Sequence, residues 1–147
     1  RIGMTSYLID TNGLSELVRP VPDPRVIRWM AAHELQLMFI SVVTMGELRR
    51  GIDLRKPGPR TEVLETWLED QLPRLFVNRV LPITSPIAKA WGTLDAKRQT
   101  AGRPLDVADG QIAATALVHS LTLVTRNVQD FELLGVELLN PWSVGSE

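Results

Sequence analysis

Residues Ser6 to Leu17 read SYLIDTNGLSEL, and the order of residue types in this stretch decides the fold expected of the chain. Ser6 to Ile9 is a short, uncharged, largely apolar run that stops at Asp10, the pattern of a buried strand. Thr11-Asn12-Gly13 is a polar turn cluster, after which Leu14, Leu17 and Val18 recur at helical spacing. A strand, a turn and a helix are therefore expected in that order, with a carboxylate at the end of the strand.

The same unit recurs downstream. Leu37 to Ile40 is a second strand candidate, and Thr44 to Leu54 follows as a helix closed by the turn Lys56-Pro57-Gly58-Pro59. Before them, Pro20, Pro22 and Pro24 break the first helix. Asp23-Pro24 then has the cap-then-proline form that starts a helix carrying Val26, Ile27 and Met30. Val63, Leu64, Trp67 and Leu68 put an apolar stripe on the next helix, and Arg79 to Ile83 is a weak strand demoted by Pro82. Ser85-Pro86 opens a helix with Ile87, Ala90, Trp91 and Leu94 on one face, closed by Ala101-Gly102-Arg103-Pro104. A helix from Asp106 to about His119, a buried strand Leu121 to Thr125 and a short strand Val136 to Leu139 complete the series. Short apolar strands alternating with longer helices argue a parallel sheet covered on both faces, an α/β/α sandwich.

The chain has 147 residues, enough for one ordinary domain and short for two. Arg1-Ile2-Gly3 reads as residue left from expression ahead of a start at Met4, which leaves 4–147 as the expected single domain. Cysteine is absent and only His33 and His119 are present, so disulfides, thiolate metal sites and a cysteine nucleophile are excluded and a His-rich zinc site is disfavoured. No apolar run reaches the length of a membrane span, and a cytoplasmic location is the expectation. Sixteen Lys and Arg against seventeen Asp and Glu give a net charge of -1, so any nucleic-acid role needs local segregation of charge. Arg49, Arg50, Arg55, Lys56 and Arg60 form the densest cationic run, which reads first as a solvated helix face and turn.

The acids carry the chemistry. Asp10 ends the first strand, and Glu47 and Asp109 fall in the first turns of later helices. In a parallel sheet all three junctions lie on the carboxyl edge, where open α/β folds bind ligands. The helix from Asp109 to His119 climbs about 15 Å and the strand after it returns about 16 Å, so the loop Arg126 to Asp130 comes back to that edge. Each acid also has a plain structural reading. Asp10 could cap a helix, Glu47 could complete a Thr44-x-x-Glu47 capping box, and Asp109 could answer a helix dipole with Asp106 as the cap. Asp109 is the hardest to explain so, because it shares a face with Ile112, Ala113 and Ala116, where a carboxylate is costly unless something binds it. Gathered carboxylates without histidine or cysteine call for a hard cation, Mg²⁺ or Mn²⁺, and such a site suits phosphodiester hydrolysis.

These residues also carry a resemblance. YLIDTNGLSEL (Tyr7 to Leu17), MGELRRG (Met45 to Gly51), DVADGQIAATAL (Asp106 to Leu117) and LVTRNVQDFE (Leu123 to Glu132), followed by GVELLNPW, together resemble the PIN-domain ribonucleases of the VapC toxin type. The resemblance implies a Rossmann-like sheet and a Mg²⁺-dependent endoribonuclease of a toxin-antitoxin module. It also implies a homodimer that is inhibited by a VapB-like antitoxin and that meets operator DNA through that antitoxin. On the matching positions Asp10 and Asp109 are the principal metal ligands and Glu47 the acid on the helix after the second strand. Asp130 is assigned as the fourth, anionic member, with Asn127 kept as an alternative polar ligand because relatives often have Asp there. Gly13 departs from the family's usual aliphatic residue and is expected to loosen its helix by about 1 kcal/mol. The substrate expected is single-stranded or loop RNA, such as a tRNA or rRNA loop. The alternative is a non-catalytic regulatory module acting through its partner. A phosphatase of another α/β family would want a second Asp two residues after Asp10, where this chain has Asn12.

Overall fold

Tyr7, Leu8 and Ile9 form β1 (Tyr7–Ile9), and all three are buried, as a strand covered on both faces requires. Alternation sends Tyr7 and Ile9 into one core and Leu8 into the other. The computed structural model describes residues 4–144. The stretch 1–3, expected to be left from expression, lies outside the described residues, as do 145–147.

β1 pairs in parallel with β2 (Met38–Ser41) on one side and β4 (Thr122–Val124) on the other. β3 (Val80–Leu81) extends the sheet beyond β2, and β5 (Leu138–Leu139) beyond β4. The order is β3-β2-β1-β4-β5, all parallel. The chain thus starts in the middle, winds out to one edge, then crosses back to β4 and winds out to the other. The reversal falls between β1 and β4, which opens a crevice at their carboxyl ends. Asp10 and Thr125, the residues that follow these two strands, both stand there.

One face of the sheet is covered by α1 (Thr11–Leu17), α2 (Pro24–Ala32), α3 (Val42–Asp53), α4 (Pro59–Thr66) and α5 (Leu72–Leu75) around Leu14, Trp29, Ile40, Leu48, Leu68 and Phe76. The other is covered by α6 (Ser85–Thr100) and α7 (Val107–His119) around Ile87, Leu94, Ile112, Ala113 and Leu123. A short α8 (Pro141–Val144), not foreseen from the sequence, packs on α2. The expected α/β/α order is therefore present. Among the described residues no helix is long and apolar enough to cross a membrane.

Several local expectations change. On α2 the buried face is Val26 and Trp29, and Ile27 is exposed. The helix after β2 starts at Val42 rather than Thr44, because Ser41 accepts the Val43 N–H at 3.0 Å and caps it. The Thr44-x-x-Glu47 capping box is therefore not formed, and Glu47 sits in the second turn. Between α4 and α5 the helix widens into a π turn at Trp67–Gln71, with the Leu72 N–H bonded to the Trp67 carbonyl. Pro73, lacking an N–H, follows at the point where the ladder slips by one residue. Gly13 also has a packing role in α1. A Cβ there would lie 3.0 Å from Ile9 Cγ2, so glycine is what lets α1 lie close on β1. Gly110 does the same for α7, since a Cβ would lie 2.7 Å from Trp91 Cδ1 on α6.

Candidate active site

Three consecutive residues after β1 each reach a different element. Asp10 caps α1, accepting the Thr11 N–H on Oδ1 at 2.8 Å. Its Oδ2 accepts the Thr125 hydroxyl at 2.7 Å and the Asn12 amide at 3.3 Å. Thr11 donates its hydroxyl to Glu47 Oε1 at 2.6 Å, linking α1 to α3. Asn12 accepts the Arg126 N–H at 3.2 Å, linking α1 to the loop after β4. The DTN run is thus a junction at which each polar side chain has a geometric task.

Asp109 reaches the same place from the other side of the sheet. Asp106 caps α7 by accepting the Asp109 N–H at 3.4 Å, so Asp109 lies in the first turn, as read from the sequence. The acids meet at a cavity of about 420 Å³ lined by Asp10, Thr11, Asn12, Ser15, Glu16, Arg19, Glu47, Asp109, Arg126, Asn127 and Trp142. Its electrostatics register the crowding. Desolvation, then the charges of Asp10, Asp106, Glu47 and Asp130, push the Asp109 carboxyl up to about 7. Burial also raises Asp10, which is 5% exposed; the bonds from Thr125, Thr11 and Asn12 pull the other way, and the Glu47 charge adds to the rise.

Of the four acids expected at the site, Asp10, Glu47 and Asp109 line this cavity and Asp130 does not. Asp130 is exposed on a 3-10 turn, Val128–Phe131, whose orientation is set by the burial of Phe131 in the core. Its carbonyl is held by Arg98 at 3.3 Å, and its charge reaches Asp109 through space. Asn127, the alternative considered above, takes the lining position. Its N–H donates to Thr125 Oγ1 at 3.1 Å.

The sequence reading passed over Thr125, which is fully buried and turns one Asp10 oxygen. The signal was available: Thr125 ends the buried run LTLV as Asp10 ends SYLI. It also passed over Trp142 on α8, and over Glu16, whose buried carboxylate accepts the Asp23 N–H at 2.7 Å.

A second cavity of about 260 Å³ continues from the first, sharing Thr11, Ser15, Arg19 and Glu47. Its further walls are Val18, Leu48, Ile52, Leu64 and Trp67, with Arg55 and Arg60 among them. Of the cationic run read from the sequence, Arg49 is instead tied to Asp53, Glu65 and Glu69.

Among the described residues no three acidic or histidine side chains are drawn close enough together to hold a metal ion between them. The donor set is nonetheless of one kind. Asp10, Glu47 and Asp109, with Asn127, line one cavity and offer it carboxylate and amide oxygens, a chemistry that fits Mg²⁺ or Mn²⁺ with several waters retained.

The comparisons with known proteins agree with this geometry. The family model described as PIN domain matches residues 7–135. Toxin FitB of Neisseria gonorrhoeae is 39% identical over 135 residues, covering 92% of this chain and 97% of FitB. The crystal structure of FitAcB from the same organism superposes with a TM-score of 0.87 at 38% identity, covering 94% of this chain and 99% of that one. VapC ribonuclease Y4jK of Sinorhizobium fredii is 34% identical over 92% of this chain and 96% of its own length. The DNA-bound VapBC structure from Salmonella typhimurium superposes at a TM-score of 0.78 and 26% identity, covering 94% of this chain and 99% of that one. A parallel five-stranded sheet with its acids at the switch point, a family match across most of its length and relatives of this similarity together establish that the chain belongs to the PIN domain family.

Proposed function

We propose that this chain is a divalent-metal-dependent endoribonuclease toxin that hydrolyses RNA phosphodiester bonds at the acidic cavity and is silenced by an antitoxin bound over it. One observation carries the reading: Asp10, Glu47 and Asp109, far apart in the chain, line one cavity, where burial and then the neighbouring negative charges raise Asp109 to about 7. Relatives named as a toxin and a ribonuclease support it.

Asp10 and Asp109 would hold the cation, with Glu47 and Asn127 as further oxygen donors or water-orienting groups. Asp130 would act through its field. A cation there supplies charge to neutralise the phosphate and to acidify water. The chain does the rest. Thr125 and the Thr11 N–H hold the Asp10 carboxylate in one orientation, and the Thr11 hydroxyl holds Glu47. Asp109, raised to about 7, would have to lose its proton to hold a cation, which would make occupancy sensitive to pH near neutrality. The RNA substrate is proposed to be single-stranded or a loop, of the tRNA or rRNA kind, and the setting a cytoplasmic toxin-antitoxin module.

The second cavity supplies the apolar walls that an antitoxin tail needs. Of the apolar residues on the surrounding helices, Trp67 and Leu64 line it, whereas Leu14 and Leu68 are buried in the core and Val63 is exposed outside its lining. A basic antitoxin side chain entering from this groove would meet Glu47 and then the other acids, Arg being favoured by its planar fork. We propose a toxin homodimer carrying such antitoxins, which meets operator DNA through them.

Purified protein should cleave RNA with Mg²⁺ or Mn²⁺ and stop on adding EDTA. Asp10→Asn and Asp109→Asn should each lower cleavage about a hundredfold or more with an unchanged circular dichroism spectrum. Cleavage retained in both variants with the same metal requirement would sink the proposal.

A further inference from the structure

An acidic cavity in a chain of net charge -1 repels the polyanion it is proposed to cut. Something in the same cavity must seat the RNA backbone, and two cations line it, Arg19 and Arg126. Each is held by a separate device. Arg19 Nη1 donates to both oxygens of Glu16, at 3.1 and 3.3 Å, and Glu16 is 3% exposed and pinned in turn by the Asp23 N–H. The Arg19 side chain itself remains 59% exposed, so its charge is fixed in place without being buried. Arg126 lies over the indole of Trp142, 5.4 Å from the ring centroid, and its backbone is tied to Asn12. Trp142 is 5% exposed and offers a rigid platform for the exposed guanidinium.

We propose that Arg19 and Arg126 form a phosphate clamp that grips the single-stranded RNA backbone beside the acids, with Glu16 and Trp142 as the residues that position the two arginines. The inference rests on the ribonuclease reading and adds the groups that bind substrate. Arginine suits the task because its fork pairs two phosphate oxygens and its plane stacks on an aromatic ring. Of the other arginines nearby, Arg49 is engaged with three acids and Arg60 with the Val18 carbonyl, and Arg55 lines the second cavity but not the acidic one.

The test is the salt dependence of binding, which counts phosphate contacts without any cleavage. A labelled single-stranded RNA oligonucleotide is titrated by fluorescence anisotropy with the full chain in EDTA over a range of KCl. Each phosphate contact contributes about 0.7 to the slope of log K against log salt. Arg126→Ala and Arg19→Ala should each lower the slope by about that amount, and the double variant by about twice as much. Arg126→Lys should keep the slope. Arg74→Ala, at an exposed arginine that pairs with Asp70 and lines neither cavity, should leave it unchanged. In Mn²⁺, the two cavity variants should raise KM with kcat within about twofold. Wild-type slopes in both cavity variants, or an equal loss in Arg74→Ala, overturn the clamp while the ribonuclease reading stands. The clamp is equally overturned if both variants bind RNA normally and lose only a co-expressed antitoxin. A wild-type chain that neither binds RNA nor cleaves it with Mn²⁺ overturns both.

Discussion

Asp10 is both a helix cap and a buried acid, and the two roles conflict unless each oxygen has its own partner. Oδ1 serves the cap, and Oδ2 faces Thr125 and Asn12. Without the Thr125 hydroxyl, Oδ2 would keep only the longer bond from Asn12. Thr125→Val should therefore raise the Asp10 pKa further and weaken Mn²⁺ binding by about 10- to 100-fold, read by calorimetric titration. Thr125→Ser should restore it, and wild-type Mn²⁺ affinity in Thr125→Val would remove Thr125 from the site. Arg79 shows the same logic away from the cavity. Among the described residues its buried guanidinium pairs with no acid and donates instead to the carbonyls of Leu35, Met38 and Leu75. Arg79→Ala should lower unfolding stability in urea by about 3 kcal/mol or more, because several buried carbonyls lose their donor.

At the scale of elements, the site depends on how closely helices approach the sheet and one another. α7 carries Asp109 at its start, and Gly110 beside it lets Trp91 of α6 pack against the helix backbone. On propensity alone Gly110→Ala should stabilise a helix interior by about 1 kcal/mol. Here the new Cβ would lie 2.7 Å from Trp91 Cδ1 and 3.1 Å from Leu105 Cδ2, on side chains packed inside the core. The expected result is the reverse sign, a loss of about 1–3 kcal/mol in chemical denaturation, with a changed Trp91 environment in fluorescence. An unchanged or raised stability would show that α6 can move aside freely. α3 makes the complementary point, since its cap at Ser41 moves Glu47 from a capping position to one where Thr11 holds it.

At the scale of the molecule, the gathered acids oppose folding when no cation is bound. Asp109 has its carboxyl raised from 3.8 to about 7 in the folded chain. The folded state therefore holds a proton that the unfolded state has lost between these values, and stability falls as pH rises through that window. Metal-free protein should melt at progressively lower temperature as pH rises from about 4 to about 7, and Asp109→Asn should flatten this slope. Adding Mn²⁺ near pH 7 should restore the melting temperature in wild type and leave Asp109→Asn unmoved, by mass action on the folded state. A melting temperature independent of both pH and Mn²⁺ would refute a shared site.

The sheet and its covering helices were legible in the sequence because they rest on local periodicity. SYLI and LTLV are uncharged, buried runs, and the helices between them repeat their apolar residues along one face. Asp10 and Asp109 were legible for the same reason, as the residues at which such runs stop or start. What only the tertiary structure decided were the distances between elements. Asn127 instead of Asp130 lines the cavity because Phe131 must enter the core and turns its neighbours outward. Glu47 bonds Thr11 rather than capping its own helix because α1 and α3 meet at the carboxyl edge. Gly13 reads as a weak helix residue until Ile9 is seen beneath it. Thr125, Arg126 and Trp142 join the site only through the switch point between β1 and β4 and the α8 turn beyond β5. Periodicity along the chain carries no record of which side chain will face which across a crevice, since that depends on packing between elements remote in sequence.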